Sequence, residues 1–408
     1  MRLLIVSLYW PPAGGPGVQR PLKLAGELSR LGVEVHVLAP DDPKWLQKDD
    51  SLDVPTEITV HRARNLGPRS RKPGEELQQL VGFERAVAGA QIGARALLVP
   101  DAAVLWNLTS VHAALRLVGE HKFDWILTTS PPGSVHLVGA AVAACTGTRW
   151  AADLRDAVAS HPHRRRELRG ENALARLIAR RSDLIVCVSE AIQEEMGAIG
   201  SAAPIEVVGN GCDFDDFDGL AYVSAQPFRI THTGSFFGQR DPSTFLRALN
   251  ALTEPVQARF VGDFRSRDRA LAAELGVDNQ LELLPFVPRR EALRLQRDSE
   301  ALLLLIPEAD GRGHGVLSGK VYEYLAAERP ILALVPPGGA AAELIRDTDA
   351  GIVVDPADVE GTAAALSVLQ ALARDGELAA PSLDAVSRSR LSRAARAREL
   401  LALLEQAG

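Results

Sequence analysis

The sequence predicts an α/β protein with two domains, each built on a doubly wound parallel sheet. The chain has 408 residues, too many for one ordinary hydrophobic core and suited to two domains of roughly 150–200 residues. Short apolar runs alternate with segments of helical spacing along the chain. This alternation is typical of parallel strands joined by crossover helices. Two such sheets joined once leave a cleft at the strand carboxyl ends, where ligands bind.

The first predicted unit opens the N-terminal domain. A continuous apolar run from Arg2 to Tyr9 predicts a strand that is covered on both faces. A loop rich in proline and glycine follows, and residues 18–31 then carry apolar side chains at helical spacing. The next run, Val33–Leu38, predicts the neighbouring strand. The chain therefore begins with a β-loop-α-β unit of a doubly wound sheet.

The alternation continues through the N-terminal domain and starts afresh near Phe228. Residues 212–226 are rich in Asp and Gly and form the predicted linker. We predict one domain over residues 1–212, a second over 213–384, and an amphipathic C-terminal helix within 385–408. The further predicted strands are 125–129, 149–153, 184–188, 205–208, 229–233, 258–261, 281–284, 301–305 and 331–334, and the further predicted helices are 134–145, 190–199 and 241–252.

Composition and charge exclude several classes of protein. The net charge is -7, whereas nucleic-acid-binding proteins are more often basic, so we expect no nucleic-acid partner. Cys145, Cys187 and Cys212 are far apart, and neither a disulfide framework nor a zinc site follows from them. No apolar run reaches the roughly 18–20 residues of a membrane helix, and the N-terminal run has the features of a strand instead of a signal peptide. We therefore expect a cytoplasmic protein.

Two further kinds of active site find no support in the sequence. His112, His136 and His232 lack the spacing of metal ligands, so we predict no bound metal. No G-x-S-x-G elbow occurs that would position a serine nucleophile.

The glycine-rich loop after the first strand is a candidate anion site. Gly14, Gly15 and Gly17 let the backbone approach an anion closely, and the following helix start supplies N–H donors. The alternative is a tight turn with no chemical role. The loop is not a proper G-x-G-x-x-G, yet with Asp41 beyond the second strand it leaves open a nicotinamide-dependent oxidoreductase.

A second candidate is the segment from Asp153 to Asp156. Asp153, Arg155 and Asp156 follow a predicted strand, where active sites of parallel sheets usually lie. One carboxylate could orient or deprotonate an acceptor hydroxyl. The alternative is an ion-paired loop.

The third candidate carries the most information. The glycine-rich stretch from Gly311 to Gly319 leads into a predicted helix, whose N-terminus can meet a phosphate. Lys320 beside Ser318 offers a point charge to a pyrophosphate, and Glu323 lies nearly one turn further, where it can accept from ribose hydroxyls. The alternative is an ordinary capped helix with a solvated lysine.

Two more basic features have both a functional and a structural interpretation. Arg240 precedes a predicted helix and could hold a leaving diphosphate, or it is an exposed side chain beside the helix cap Asp241. The stretch Arg164–Arg181 could meet an anionic acceptor or a membrane surface, although such runs are more often a solvated face.

These motifs together resemble the family-4, or group 1, glycosyltransferases, and in particular a bacterial subgroup with an aspartate-arginine-aspartate motif. The resemblance covers nearly the whole chain. Its most specific part is Lys320–Pro330, which is similar to the donor-site pattern K-x-x-E-Y-L-A-x-x-x-P. The other matching segments are Pro11–Pro16 with Arg20, Ser130–Pro132, Asp153–Asp156 and Asn210–Asp213.

The resemblance implies a GT-B fold, in which two Rossmann-like domains face each other across a cleft and the C-terminal helix packs back onto the first domain. It also implies a retaining transfer from a nucleoside-diphosphate sugar to a hydroxyl, with no metal and no cofactor. Arg240 and Lys320 would hold the diphosphate, with Asp156 the third catalytic candidate. The implied donor-side residues are Gly15, Gly234, Ser235, Phe286, Val287, His314, Gly315, Ser318, Gly319 and Glu323, and the acceptor-side residues are Gly14, Asp153 and Arg155.

The sequence departs from the family pattern at two places. The usual motif has a second glutamate about eight residues before Glu323, and here that position is Gly315. His314 or the backbone around it is the candidate substitute. Ala157 and Val158 follow Asp156 where the subgroup commonly has Pro-Trp, which points to an altered acceptor pocket.

The departures keep other functions open. A nucleotide-sugar epimerase or hydrolase of the same fold would turn over the donor without an acceptor. A non-catalytic protein that binds nucleotide sugars would form no product. The acceptor itself is open among a lipid-linked glycan, a polysaccharide and a secondary metabolite.

Overall fold

The computed structural model describes residues 1–41, 48–66, 98–158, 165–224, 226–236, 240–308, 313–381 and 383–408. The chain forms two compact units. Unit 1 consists of Met1–Gly209 with Arg393–Gly408, and unit 2 consists of Asn210–Ser392.

Unit 1 contains a parallel sheet with the order β3-β2-β1-β4-β5-β6-β7. The order reverses between β1 and β4, so the switch point of this doubly wound sheet lies at their carboxyl ends. The strands are β1 (Arg2–Ser7), β2 (Glu34–Pro40), β3 (Thr59–Ala63), β4 (Trp125–Thr129), β5 (Arg149–Leu154), β6 (Leu184–Cys187) and β7 (Ile205–Val207), and the helices of its N-terminal part are α1 (Pro16–Arg30), α2 (Asn107–His121), α3 (Val135–Thr146), α4 (Arg165–Arg181) and α5 (Glu190–Ile199).

The first strand shows why the apolar runs are continuous. Successive side chains of a strand point to opposite faces of the sheet. Leu3 and Ile5 pack in a core with α1, while Leu4 and Val6 pack in a second core with α2 and α3. Because both faces are covered by helices, β1 has no polar face, and its sequence shows no alternation.

Unit 2 repeats the architecture with a parallel sheet in the order β10-β9-β8-β11-β12-β13. Its switch point lies between β8 and β11. The strands are β8 (Phe228–Thr233), β9 (Val256–Val261), β10 (Leu281–Leu284), β11 (Ala301–Leu305), β12 (Ile331–Leu334) and β13 (Gly351–Val354), and the helices are α6 (Ser243–Asn250), α7 (Ser266–Glu274), α8 (Arg289–Arg297), α9 (Gly319–Ala327), α10 (Ala340–Asp347), α11 (Val359–Arg374) and α12 (Ala385–Leu391).

Strand β11 divides the core of unit 2 between the two faces of its sheet. Leu302 and Leu304 pack with apolar residues of α9, whereas Leu303 and Leu305 pack with those of α6. Helix α9 is thereby fixed on the sheet by its buried side. The predicted fold class, two doubly wound parallel sheets, is confirmed.

The C-terminal residues differ from the single helix predicted over 385–406. The backbone at Ser392 is extended, with φ -67° and ψ 152°, and separates α12 from α13 (Arg393–Gln406). Helix α12 belongs to unit 2 and α13 to unit 1. Ala397, Leu400 and Leu404 of α13 are buried in the same core as α1.

The predicted linker over 212–226 is also part of unit 2. Phe217 is only 2% exposed and lies in the core beside α9. The apolar side chains between the aspartates give this segment a packed position, so the division between the units falls at Gly209 instead of Cys212.

The helices found in the described ranges include none that is long and apolar enough to cross a membrane.

Close packing between α3 and β5 gives a test of the fold. A Cβ at Gly139 of α3 would lie 2.2 Å from Nε1 of the fully buried Trp150, so we expect Gly139→Ala to destabilise unit 1 by about 1–3 kcal/mol. Gly119 on the neighbouring α2 has nothing within 4 Å of such a Cβ, and Gly119→Ala should be neutral or stabilising by up to about 1 kcal/mol. Chemical denaturation of both variants measures the difference, and equal effects would contradict the described packing.

Candidate functional site

The carboxyl end of β8 brings a glycine and a lysine into direct contact. Gly234 follows the last residue of β8, and its N–H donates to the carbonyl of Val261 at 2.7 Å. Its φ of 126° suits only glycine. A Cβ there would lie 2.5 Å from Nζ of Lys320, so the end of the lysine side chain occupies the space that a larger residue would need. The predicted partners Gly234 and Lys320 therefore share one site at the switch point of unit 2.

The electrostatics of this site favour an anion. Burial and, secondly, the charge of Arg240 lower the pKa of Lys320 to about 8, while the charge of Glu323 opposes the shift. Burial likewise lowers the pKa of His232 to about 3, with Lys320 the next cause. Two cationic side chains thus lie close together where burial weakens their hydration. A polyanion bound between them would stabilise the charged lysine.

The N-terminus of α9 adds hydrogen-bond donors beside Lys320. Ser318 is the N-cap residue, with an extended backbone, and Gly319 begins the helix. The Ser318 hydroxyl is buried, and the described residues provide no hydrogen-bond partner for it. Its carbonyl instead accepts from the N–H of Val321 at 3.1 Å. A helix N-terminus carries free N–H groups and a positive dipole end, so this turn can bind a phosphate group.

Glu323 is held in place by two side chains that the sequence did not single out. Arg289 of α8 donates to its Oε2 at 2.6 Å, and Gln296 of the same helix donates to its Oε1. Arg289 also pairs with Asp216 at 2.9 Å. Burial would lower the pKa of Arg289, but the carboxylates of Glu323 and Asp216 raise it above its usual value. The carboxylate of Glu323 is therefore fixed in orientation, with lone pairs left for further donors.

The remaining donor-side residues predicted from the sequence lie in loops of unit 2. Phe286 and Val287 are half-buried and follow β10 at the edge of the sheet. The hydroxyl of Ser235 accepts from the N–H of Asp263 at 3.0 Å. His314 and Gly315 belong to a short 3-10 turn, where the exposed His314 ring lies 3.3 Å from Oε1 of Glu308. Gly311 and Arg312, which begin the predicted phosphate loop, lie outside the described residues.

In unit 1, Asp153 forms a buried ion pair with Arg20 of α1. Nη2 of Arg20 donates to Oδ1 of Asp153 at 2.7 Å, and the two side chains are 3% and 2% exposed. Arg20 also donates to the carbonyls of Val208 and Gly209 at 2.9 and 2.8 Å. Oδ2 of Asp153 accepts from Thr129 at 2.7 Å. Although burial raises the pKa of Asp153, Arg20 brings it below its usual value.

These contacts correct the acceptor-side role predicted for Asp153. Its carboxylate is buried and occupied, so it holds the N-terminal half of α1 against the carboxyl ends of β5 and β7 instead of facing a ligand. Arg155 has a similar anchoring role, because it donates to the carbonyls of Ser130 and Gly17. Asp156 is the exposed carboxylate of this motif. Of the three residues, Asp156 alone offers a carboxylate to solvent.

The predicted anion loop of unit 1 lies at the start of α1. Gly15 is the N-cap of the helix with φ 91°, and Gly14 is buried behind it. A Cβ at Gly17 would lie 3.1 Å from the ring of Tyr9, so the loop packs tightly on the chain that leaves β1. Asp41 accepts from the N–H of Asn65 at 2.8 Å. Asp41, the acidic residue of the oxidoreductase hypothesis, therefore binds the backbone of the segment after β3.

The basic stretch is a helix with one buried face. Leu174 and Ile178 of α4 pack in a core, while Arg176, Arg180 and Arg181 are exposed. Arg164, the first residue of the predicted stretch, lies outside the described residues. The exposed arginines fit the solvated face that the sequence favours, and membrane contact stays a prediction.

The family comparison covers most of both units. Residues 14–211 match the model of a glycosyl transferase 4-like domain, and residues 227–371 match that of the glycosyl transferases group 1. The second match includes the whole centre around Gly234, Arg240, Lys320 and Glu323. No curated protein sequence matches the chain.

Solved structures share the fold at low sequence identity. Sucrose-phosphate synthase from Thermosynechococcus elongatus superposes with a TM-score of 0.70 and 16% identity, covering 99% of this chain and 98% of that one. HepE from Anabaena, in complex with UDP-glucose, has a TM-score of 0.64 and 17% identity over the full length of both chains. The lipopolysaccharide outer core galactosyltransferase WaaB has a TM-score of 0.60 and 13% identity, covering 100% of this chain and 99% of that one.

The buried Arg20–Asp153 pair gives a stability test with a control on the same helix. We expect Arg20→Met to lower the free energy of unfolding of unit 1 by about 3–5 kcal/mol, because it leaves a buried carboxylate unpaired. Arg30 of α1 is 70% exposed and pairs with Glu27, so Arg30→Met should change stability by less than about 1 kcal/mol. Denaturant unfolding compares the two, and similar losses would contradict the structural role of the pair.

Proposed function

Because the chain is a group 1 glycosyltransferase, we propose that it moves a sugar from a nucleoside-diphosphate donor, bound by unit 2, to an acceptor hydroxyl. The observation that carries this proposal is the cationic site formed by Lys320 and Arg240 at the start of α9. The UDP-glucose bound to HepE supports the same class of donor. The sugar and the base are left open.

Each part of the donor would have its own contacts in unit 2. Lys320 and Arg240 bind the diphosphate, and the N–H groups at the start of α9 with the Ser318 hydroxyl donate to its oxygens. The fixed carboxylate of Glu323 accepts from the ribose hydroxyls. Phe286 and Val287 flank the nucleobase.

Two glycine-rich turns complete the proposed donor contacts. The turn at Gly315 replaces the usual glutamate, so the sugar hydroxyls meet His314 and backbone groups instead of a second carboxylate. In unit 1, the start of α1 at Gly15 has backbone N–H groups that can bind a phosphate group.

The mechanism follows from where charge develops. As the bond between the sugar C1 and the diphosphate oxygen breaks, negative charge grows on the diphosphate. Lys320 and Arg240 stabilise that charge, which is the task that a bound cation performs in other enzymes. The new bond forms between C1 and the acceptor oxygen. The proton of the acceptor hydroxyl passes to the departing diphosphate, and attack on the same face retains the configuration at C1.

The proposed contacts to the acceptor lie in unit 1. Asp156 is the exposed carboxylate at the carboxyl end of β5, where it can orient an acceptor hydroxyl. Arg155 and Gly14 support the loops around it, and Asp153 acts through Arg20. A lipid-linked glycan, a polysaccharide and a secondary metabolite all fit this description. We place the reaction in the cytoplasm, with the exposed arginines of α4 available to an anionic surface.

Removing the lysine tests the proposal. We expect Lys320→Ala to slow transfer about 10²–10³-fold, because the leaving diphosphate loses its nearest charge. Arg374→Ala, which removes a charge from a side chain that is 59% exposed on α11, should leave the rate unchanged. Product formation from UDP-, GDP-, ADP- and dTDP-sugars with candidate acceptors, measured with a chelator present throughout, gives the comparison.

Three outcomes of that assay would contradict the proposal. Wild-type activity in Lys320→Ala would remove the lysine from the mechanism. A strict requirement for Mg²⁺ would contradict stabilisation by protein charges alone. Donor turnover at the same rate with and without an acceptor would favour the epimerase or hydrolase alternative.

Nuclear magnetic resonance of the product gives the anomeric configuration, and inversion would contradict the retaining step.

A further inference from the structure

Three histidines from separate elements converge at one edge of unit 1. His36 lies on β2, His61 on the edge strand β3, and His121 at the end of α2. Each offers one ring nitrogen, and these three nitrogens all lie within 4.8 Å of one another. The closest pair is Nδ1 of His36 and Nε2 of His61, at 2.9 Å. Their positions in the sequence are too far apart to form a metal-binding motif, and only the fold brings them together.

The spacing of the ring nitrogens is close to that around a transition-metal ion. Two nitrogens that share a zinc ion at about 2.0–2.1 Å are about 2.9–3.4 Å apart for angles from about 90° to the tetrahedral value. The 2.9 Å pair of His36 and His61 lies at the lower end of this range. The His121 ring lies 4.5 Å from the His36 ring between centroids, and its nitrogen lies within 4.8 Å of the other two.

The surroundings prepare His36 to act as a ligand. Oε1 of Glu34 lies 3.3 Å from Nε2 of His36 and can accept a hydrogen bond from its N–H, so Nδ1, which faces Nε2 of His61, is the nitrogen available to a metal. A carboxylate behind a histidine commonly orients metal ligands in this way. Oε2 of Glu34 accepts a hydrogen bond from Nε of Arg2 at 2.9 Å, so this carboxylate also offsets the positive charge of Arg2.

We propose that His36, His61 and His121 bind one divalent transition-metal ion of the zinc type, with water completing a four-coordinate sphere. His36 is the third residue of β2, so the ion lies toward the amino ends of the strands, away from the switch point. It acts as a structural link that ties β3 and the end of α2 to β2. Arg62, next to His61, donates to the carbonyls of Pro11 and Pro40, so this link also steadies the loop after β1.

The test uses the full chain after removal of metals with a chelator, and Zn²⁺ alone as the probe. Calorimetric titration should show one equivalent bound, and Co²⁺ should give the absorption bands of a tetrahedral site. We expect His121→Gln to weaken binding about ten-fold or more. The His121 side chain is 35% exposed at a helix end, so this variant should fold. His112→Gln is the matched control, because His112 is exposed on the same helix.

The outcomes distinguish a built metal site from adventitious binding at the surface. Loss of binding in His121→Gln but not in His112→Gln, with a Zn²⁺-dependent rise in melting temperature seen only in the wild type and in the control, supports the site. Binding that survives His121→Gln, or falls equally in both variants, would show adventitious surface binding. Absence of stoichiometric binding would overturn the proposal and leave the cluster as a neutral hydrogen-bonded stack. These results need no donor or acceptor and are independent of the proposed transfer.

Discussion

The contact between the Lys320 ammonium group and the backbone of Gly234 is the constraint on which the proposed donor site depends. Gly234 has a backbone conformation that suits only glycine and leaves no room for a Cβ, so the lysine lies against the turn at the end of β8. The side chain belongs to the first turn of α9, which is fixed by its packing on β11. A half-buried cation, a helix N-terminus and an adjacent arginine thereby meet at the switch point, where parallel sheets bind ligands.

An ion pair positions the proposed ligand-binding groups in each unit, and it is buried in unit 1 and half-buried in unit 2. In unit 1, Arg20 and Asp153 join α1 to the carboxyl ends of β5 and β7. In unit 2, Arg289 fixes the carboxylate of Glu323 and connects it to Asp216. Such pairs are costly to break because the remaining charge is left buried. Two other groups can then bind a ligand. Asp156 is exposed, and Lys320 is a lysine whose hydration is weakened by burial.

The sequence predicted the strands that are covered on both faces, because their apolar runs are continuous, as in β1, β11 and β12. It did not predict the edge strands β3 and β13 or the break at Ser392. The residues of β3 are half polar, and a single extended residue leaves no mark in the composition. Lys320 could be found because it lies in a local motif. Pairings such as Arg20 with Asp153, or His36 with His121, join distant positions and follow only from the fold.

Proton uptake on binding a nucleoside diphosphate tests the central claim most directly. Burial lowers the pKa of Lys320 to about 8, and a diphosphate beside it would raise that pKa, so binding near pH 8 should take up about half a proton. Calorimetry with the tightest of UDP, GDP, ADP and dTDP, in buffers of different ionisation enthalpy, measures this quantity. The account predicts uptake that fades as the pH falls well below 8 and is lost in Lys320→Met. Binding without uptake at pH 8, or equal uptake in the variant, would contradict the assignment of Lys320 to the diphosphate.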